Sequence, residues 1–202
     1  MEGGTQKNAY YFSSGYDQNQ TSIDGNDRNR LTLSLKNRFR PITPLELEAG
    51  VNIIHNGTTS NGLRWGEVAT PYPYTRLADD EGNWLPVVRD LRMPYAAQAE
   101  AAGLLDWMYR PLQEKALNDQ TTKDTEYRLD MGAQYAFTPA LNVSAKYQYQ
   151  KIAGKQRDLT AADSYRVRHL VNRFTQQDGT RVFPEGAILS EGYTDQQAHA
   201  LR

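Results

Sequence analysis

The chain has 202 residues, with 23 Lys plus Arg against 24 Asp plus Glu and a formal charge of -1. That balance lacks the basic field of a nucleic-acid binder, and the absence of cysteine excludes disulfides, thiolate metal sites and cysteine nucleophiles. No stretch approaches the roughly 20 apolar residues of a membrane helix, but barrel strands are only half apolar, so a mean hydropathy of -0.75 leaves a membrane β-barrel open.

The opening Met1-Glu2-Gly3-Gly4 has neither the basic nor the apolar stretch of a signal peptide. Tyr10, Phe12 and Tyr16 then alternate weakly. In Leu31–Arg40, Leu31, Leu33, Leu35 and Phe39 oppose Thr32, Ser34, Lys36, Arg38 and Arg40. Leu45 to Ile53 places Leu45, Leu47, Ala49, Val51 and Ile53 on one face and Glu46, Glu48, Gly50 and Asn52 on the other. Glu126–Phe137 and Leu141–Gln150 alternate in the same way. Successive strand residues point to opposite faces, so each segment predicts a two-faced β-strand.

A soluble antiparallel sheet with one wet face gives the same alternation. Three features favour a membrane barrel. About 9–11 alternating residues per strand suit a tilted bilayer crossing. The polar faces carry both signs of charge, as a wet lumen does. Tyr127, Tyr135, Phe137, Phe39, Tyr147 and Tyr149 collect near strand ends, where aromatic girdles belong.

Connections add a fourth feature. Pro41-Ile42-Thr43-Pro44 and Thr138-Pro139-Ala140 are tight turns. Longer connections are expected from Asp17 to Asn29, across 57–122 and across 152–193. Barrels alternate short periplasmic turns with long external loops in this way. Within 57–122, the part from Asn61 to Arg92 is rich in Gly, Pro and aromatics. Ala96–Leu117 reads as helical, interrupted at Gly103 and restarted at Pro111. Aromatic rings stack on sugars and peptides, so Trp65, Tyr74, Trp84 and Trp107 are the candidate ligand-facing groups, although they equally suit the private core of a large loop. The 152–193 connection mixes basic and apolar residues around Tyr165–Thr175 without a clear period, which reads as a solvated surface.

Other chemistry is poorly supported. His55, His169 and His199 lie far apart without metal-ligand spacing. Asp24-Gly25-Asn26-Asp27 and Asp79-Asp80-Glu81 read as turns, since calcium needs six or more oxygens. Glu46, Glu48, Glu126 and Asp130 are explained by strand alternation, so no catalytic residue and no cofactor is expected.

Gly3-Gly4-Thr5-Gln6-Lys7 followed by Tyr10-Tyr11-Phe12-Ser13-Ser14-Gly15-Tyr16 resembles an early barrel strand of the SusC/RagA family, the TonB-dependent outer-membrane transporters of Bacteroidetes. Arg30 with its alternating strand, then Leu45–Asn52, continues the likeness. Pro71-Tyr72-Pro73-Tyr74, Leu77-Ala78-Asp79, Leu104-Leu105-Asp106-Trp107 and Tyr109-Arg110-Pro111-Leu112 resemble the family's first large loop, and Tyr165-Arg166-Val167-Arg168, Asn172-Arg173-Phe174-Thr175 and Pro184-Glu185-Gly186 the next. The resemblance implies an all-β chain: five to six strands of a larger antiparallel transmembrane β-barrel, with long extracellular loops, one partly helical. It implies outer-membrane localisation and uptake of oligosaccharides or peptides with a SusD-like lid lipoprotein. Energy would come from the TonB complex through a plug that, with the closing strands, lies outside these 202 residues. The alternative reading is a soluble β-sandwich that binds carbohydrate.

Overall fold

In the computed structural model, residues 1–63, 66, 72 and 74–202 are described. They form an all-β chain built on one antiparallel sheet of seven strands in sequential order. The strands are β1 (Glu2–Gly4), β2 (Asn8–Gln20), β3 (Asn26–Ile42), β4 (Leu45–Ser60), β5 (Asn118–Thr138), β6 (Leu141–Thr160) and β7 (Ile188–Leu201). Among the described residues no second sheet packs against this one, so the two-layer sandwich is not formed. The sheet does not close on itself; β1 and β7 are its edges.

Each alternating segment lies inside a strand. The strands run further than the alternation does, however: β5 has 21 residues and β6 has 20. The extensions, such as Asn118–Lys123 and Gln156–Thr160, are polar on both faces except at Leu159, so no period marks them. The connection expected from Asp17 to Asn29 therefore shrinks to residues 21–25, where Gly25 takes φ +93°. The two long connections become 61–117 and 161–187, and β7 begins at Ile188, inside the connection expected across 152–193. The turns between β3 and β4 and between β5 and β6 are two residues each, with a register shift beside each.

Helices occur only in the long connections among the described residues. The first holds α1 (Met93–Ala97), a single 3₁₀ turn (Glu100–Ala102) and α2 (Pro111–Leu117). Gly103 ends the 3₁₀ turn at φ +79°, a conformation glycine adopts without steric cost. Pro111 begins α2, where its missing N–H breaks no helical bond. The second connection contains α3 (Tyr165–Arg173), where no helix was expected. Ser164 caps it by accepting a hydrogen bond from the Val167 N–H.

Burial is distributed unusually. No strand residue among those described is buried. The apolar core lies in the long connections: Val87, Ala96, Ala99, Trp107, Tyr109 and Tyr165, with Val167 and Val171 buried on α3. A sheet of this size with no core of its own has two faces open to something else.

Candidate functional site

Register defines the two faces of the sheet. Phe12, Leu35, Val51, Leu129, Tyr149 and His199 stand in one cross-strand row. Asn37, Ala49, Met131, Tyr147 and Leu201 form the next row on that same face. The opposite face carries Lys36, Gly50, Asp130 and Gln148 in one row and Ser34, Asn52, Arg128 and Gln150 in another. The apolar face is open: Leu35 is 48% exposed and Met131 54%.

The polar face is knitted together. Arg38 pairs with Glu46 at 3.0 Å and with Glu48 at 2.9 Å. Gln148 donates to Asp130 at 3.0 Å and Gln150 to Glu126 at 2.9 Å. Side chains of this face from β2 through β7, among them Tyr11, Lys36, Glu48, Asp130, Gln148 and Ala200, line a single hollow of about 670 Å³. The sheet thus curls with its polar face inside and its apolar face outside. A sheet folded over its own soluble core would curl the other way round.

The apolar band crosses the strands obliquely. In β3 it runs from Leu31 to Phe39 and centres on Leu35, which pairs with Val51. In β4 it centres on Ala49, two residues from Val51 and opposite Met131. Met131 is the band's centre in β5 and pairs with Tyr147, whereas the β6 band, from Leu141 to Tyr149, centres two residues away on Ala145. The centre of Tyr10–Tyr16 in β2 falls at Ser34, one residue from Leu35. Three of the four steps shift in one direction, by one or two residues, and the step from β4 to β5 is level, an average of about 1.2 residues per strand. With spacings of about 3.3 Å along and 4.8 Å between strands, the strands lie at roughly 40° to the band's normal. That is the tilt of strands in closed barrels.

Tilt also sorts the aromatic residues. Tyr16, Tyr127 and Tyr149 fall on the band edge nearer the long connections, and Phe39, Tyr135 and Phe137 on the edge nearer the tight turns. The two belts stand about 20 Å apart along the normal. Tyr147 lies between them, inside the band.

The long connections fold against one another as one body. The Asn172 side chain bonds the Leu105 backbone twice, accepting from its N–H and donating to its carbonyl, both at 2.8 Å. Arg168, 7% exposed, donates to the Asp106 carbonyl at 2.7 Å and the Met108 carbonyl at 3.3 Å, and meets the Asp106 carboxylate at 2.8 Å. Glu114 accepts from the Tyr165 N–H at 2.8 Å. Trp107 donates its indole N–H to His169 Nδ1 at 3.0 Å, which fixes the neutral imidazole with its proton on Nε2. Burial lowers the His169 pKa, and Arg173 and Arg89 lower it further against the opposing pull of Asp90. Burial and the Asp90 carboxylate push Tyr165 up to about 12. Burial would raise Asp106, but the Met108 N–H, Arg110 and Arg168 outweigh it and hold the carboxyl below its usual range.

The three described aromatic candidates do not converge. Tyr74 is 93% exposed and Trp84 46% exposed, on the outer surface of the first long connection. Trp107 is a core residue of the loop body, and its one donor is used by His169. Trp65 lies outside the described residues. The interlock of Asp106, Arg168, His169 and Asn172 was not anticipated. Its signal was Ser164 as a helix cap, followed by Val167 with Val171 and Arg168 with Asn172 at four-residue spacing. Among the described residues no group of His and acidic side chains is arranged to hold a metal, and Asp79 accepts from the Glu81 and Asn83 N–H groups as an ordinary turn residue does. No helix among them is long and apolar enough to cross a membrane, which does not bear on strands.

No protein-family model matches the sequence, and no curated protein matches it.

Proposed function

We propose that this chain is a stretch of the wall of an outer-membrane β-barrel, within a TonB-dependent importer of oligosaccharides or peptides. One observation carries the barrel reading: the apolar band on the convex face runs obliquely across five strands at the tilt a barrel requires. The polar concave face then lines the lumen. Both edges of the sheet pair with further barrel strands, because unpaired edges are not tolerated in lipid. The tight turns face the periplasm, and the loop body caps the external mouth.

The importer reading rests on the resemblance to the SusC/RagA family. It adds a lid lipoprotein above the loop body and energy delivered by TonB through a plug. Solute passage is by binding and gating, with no bond made or broken. Trp84 and Tyr74 are the aromatic candidates placed to meet a ligand or the lid.

Because the sequence has no cysteine, single cysteines report topology without background. In intact cells, Tyr74→Cys and Trp84→Cys should react with a membrane-impermeant maleimide, while Thr43→Cys and Ala140→Cys should react only after the outer membrane is opened. Labelling of both sets in intact cells would reject the membrane topology. Loss of uptake of one oligosaccharide or peptide on gene deletion, with uptake in the wild type abolished by a protonophore, tests the importer reading separately.

A further inference from the structure

Beyond the belt of Tyr16, Tyr127 and Tyr149, the convex face changes from apolar to charged: Lys123, Lys151, Lys155 and Arg157 stand there with Asp119, Glu191 and Asp195. Lys151 is two residues past Tyr149 on the same face of β6, and Lys155 four residues further on. Lys123 stands directly opposite Lys155 across the β5–β6 pair. With strands at roughly 40°, these groups lie about 15–25 Å from the band's midplane, just outside an apolar layer about 25 Å thick. Like charges directly opposite one another weaken a sheet. Lys123 has no acidic partner among the described residues, and its other neighbour across the sheet is Gly57. Lys155 meets Glu191 at 2.7 Å and Lys151 meets Asp195 at 3.4 Å, both acids on β7. Tyr193 lies beside Lys155, its ring centroid 5.4 Å from Nζ.

We propose that the Lys123–Lys155 pair, with Lys151 below it, docks the phosphate of an anionic lipid headgroup against the barrel's outer wall. The inference rests on the barrel-wall reading. It commits to a membrane lipid rather than free phosphate because the lysines continue the apolar band: a lipid seated there lays its chains along Val51, Leu129 and Tyr149 and brings its phosphate to the lysine level. The phosphate relieves the repulsion between Lys123 and Lys155. Glu191 and Asp195 keep the site from being strongly cationic in the lipid's absence.

The test uses the purified chain brought from nonionic detergent into vesicles and read by flotation, with phosphatidylcholine vesicles and with mixed phosphatidylcholine–phosphatidylglycerol vesicles. Wild type should partition roughly tenfold more strongly into the anionic vesicles at low salt, and most of that preference should vanish in the double variant Lys123→Gln, Lys155→Gln. Inorganic phosphate at millimolar concentration should leave the preference intact. A second double variant, Lys36→Gln with Lys146→Gln, removes the same charge from the concave face and should keep the wild-type preference. Equal loss in both variants would overturn the site, as would full competition by free phosphate. Binding to neutral vesicles with no anionic preference also rejects the lysine site and leaves the barrel wall standing; failure to bind either vesicle overturns the lipid site, and the barrel wall is judged separately by the cysteine labelling.

Discussion

Asn172 shows how one side chain can join two segments 67 positions apart. Its amide offers a donor and an acceptor in the geometry of a strand partner, and Leu105 uses both. Replacing Asn172 with Leu keeps the volume and removes both bonds, leaving the Leu105 N–H and carbonyl unpaired at a buried contact. The loop body should lose about 2 kcal/mol, read as earlier exposure of Trp107 in a urea titration followed by fluorescence. His169 sets a pH dependence at the same contact. Its folded pKa lies below the ordinary 6.5, so as pH falls the unfolded chain takes up the proton first. The stabilisation is therefore full above pH 6.5 and declines as pH drops through the folded value. Protonated His169 would also present an N–H to the Trp107 N–H. Trp107 fluorescence should report loosening on acidification below pH 6.5, and His169→Gln should flatten that response. The Ser164 cap and the four-residue spacings signalled the helix of this interlock but not its polar contacts, because a buried Arg168 and an exposed arginine look alike in sequence. Only the company of Asp106 and the Met108 carbonyl, far away along the chain, distinguishes them.

At the scale of the element, alternation located β2 to β6 but not β7, because period two survives wherever one face meets water and the other does not. It missed the strand ends, where both faces are polar, and so overstated the first long connection. It missed α3 for a different reason. Nine residues of mixed basic and apolar character yield a helix only when Ser164 caps them and Val167 and Val171 find the loop core. The two faces of a strand make opposite predictions for the same kind of change. Val51 sits mid-band between Leu35 and Leu129, so Val51→Arg should cost about 2–4 kcal/mol of stability in a lipid or micellar environment. Its neighbour Asn52 lies on the polar face between Ser34 and Arg128, and Asn52→Glu, which sets a carboxylate opposite the Arg128 guanidinium, should cost little. Unfolding in urea from detergent micelles compares the two; similar losses would mean the faces have been assigned wrongly.

For the whole molecule, the question is what covers a sheet that buries none of its own residues. A soluble domain of this length hides most of its apolar side chains. Among the described residues the core lies in the long connections, while Leu35, Met131 and Val143 are each about half exposed on one continuous convex face. Each edge strand also presents a row of unpaired backbone groups, on β7 over 14 residues. Water satisfies the edges but not the band, and the two together favour edge-to-edge and face-to-face association. The chain alone in buffer should therefore sediment as large, polydisperse species. A nonionic detergent above its micellar concentration should bring it to small particles by shielding the convex face, with the loop body still protecting its backbone amides from exchange. Deleting the first long connection by joining Asn61 to Asn118 through a short glycine linker should not restore solubility in buffer, because the band lies entirely on the strands. A monodisperse monomer in buffer without detergent would show that the convex face is covered in a way the oblique band does not allow, and would return the sheet to the soluble class.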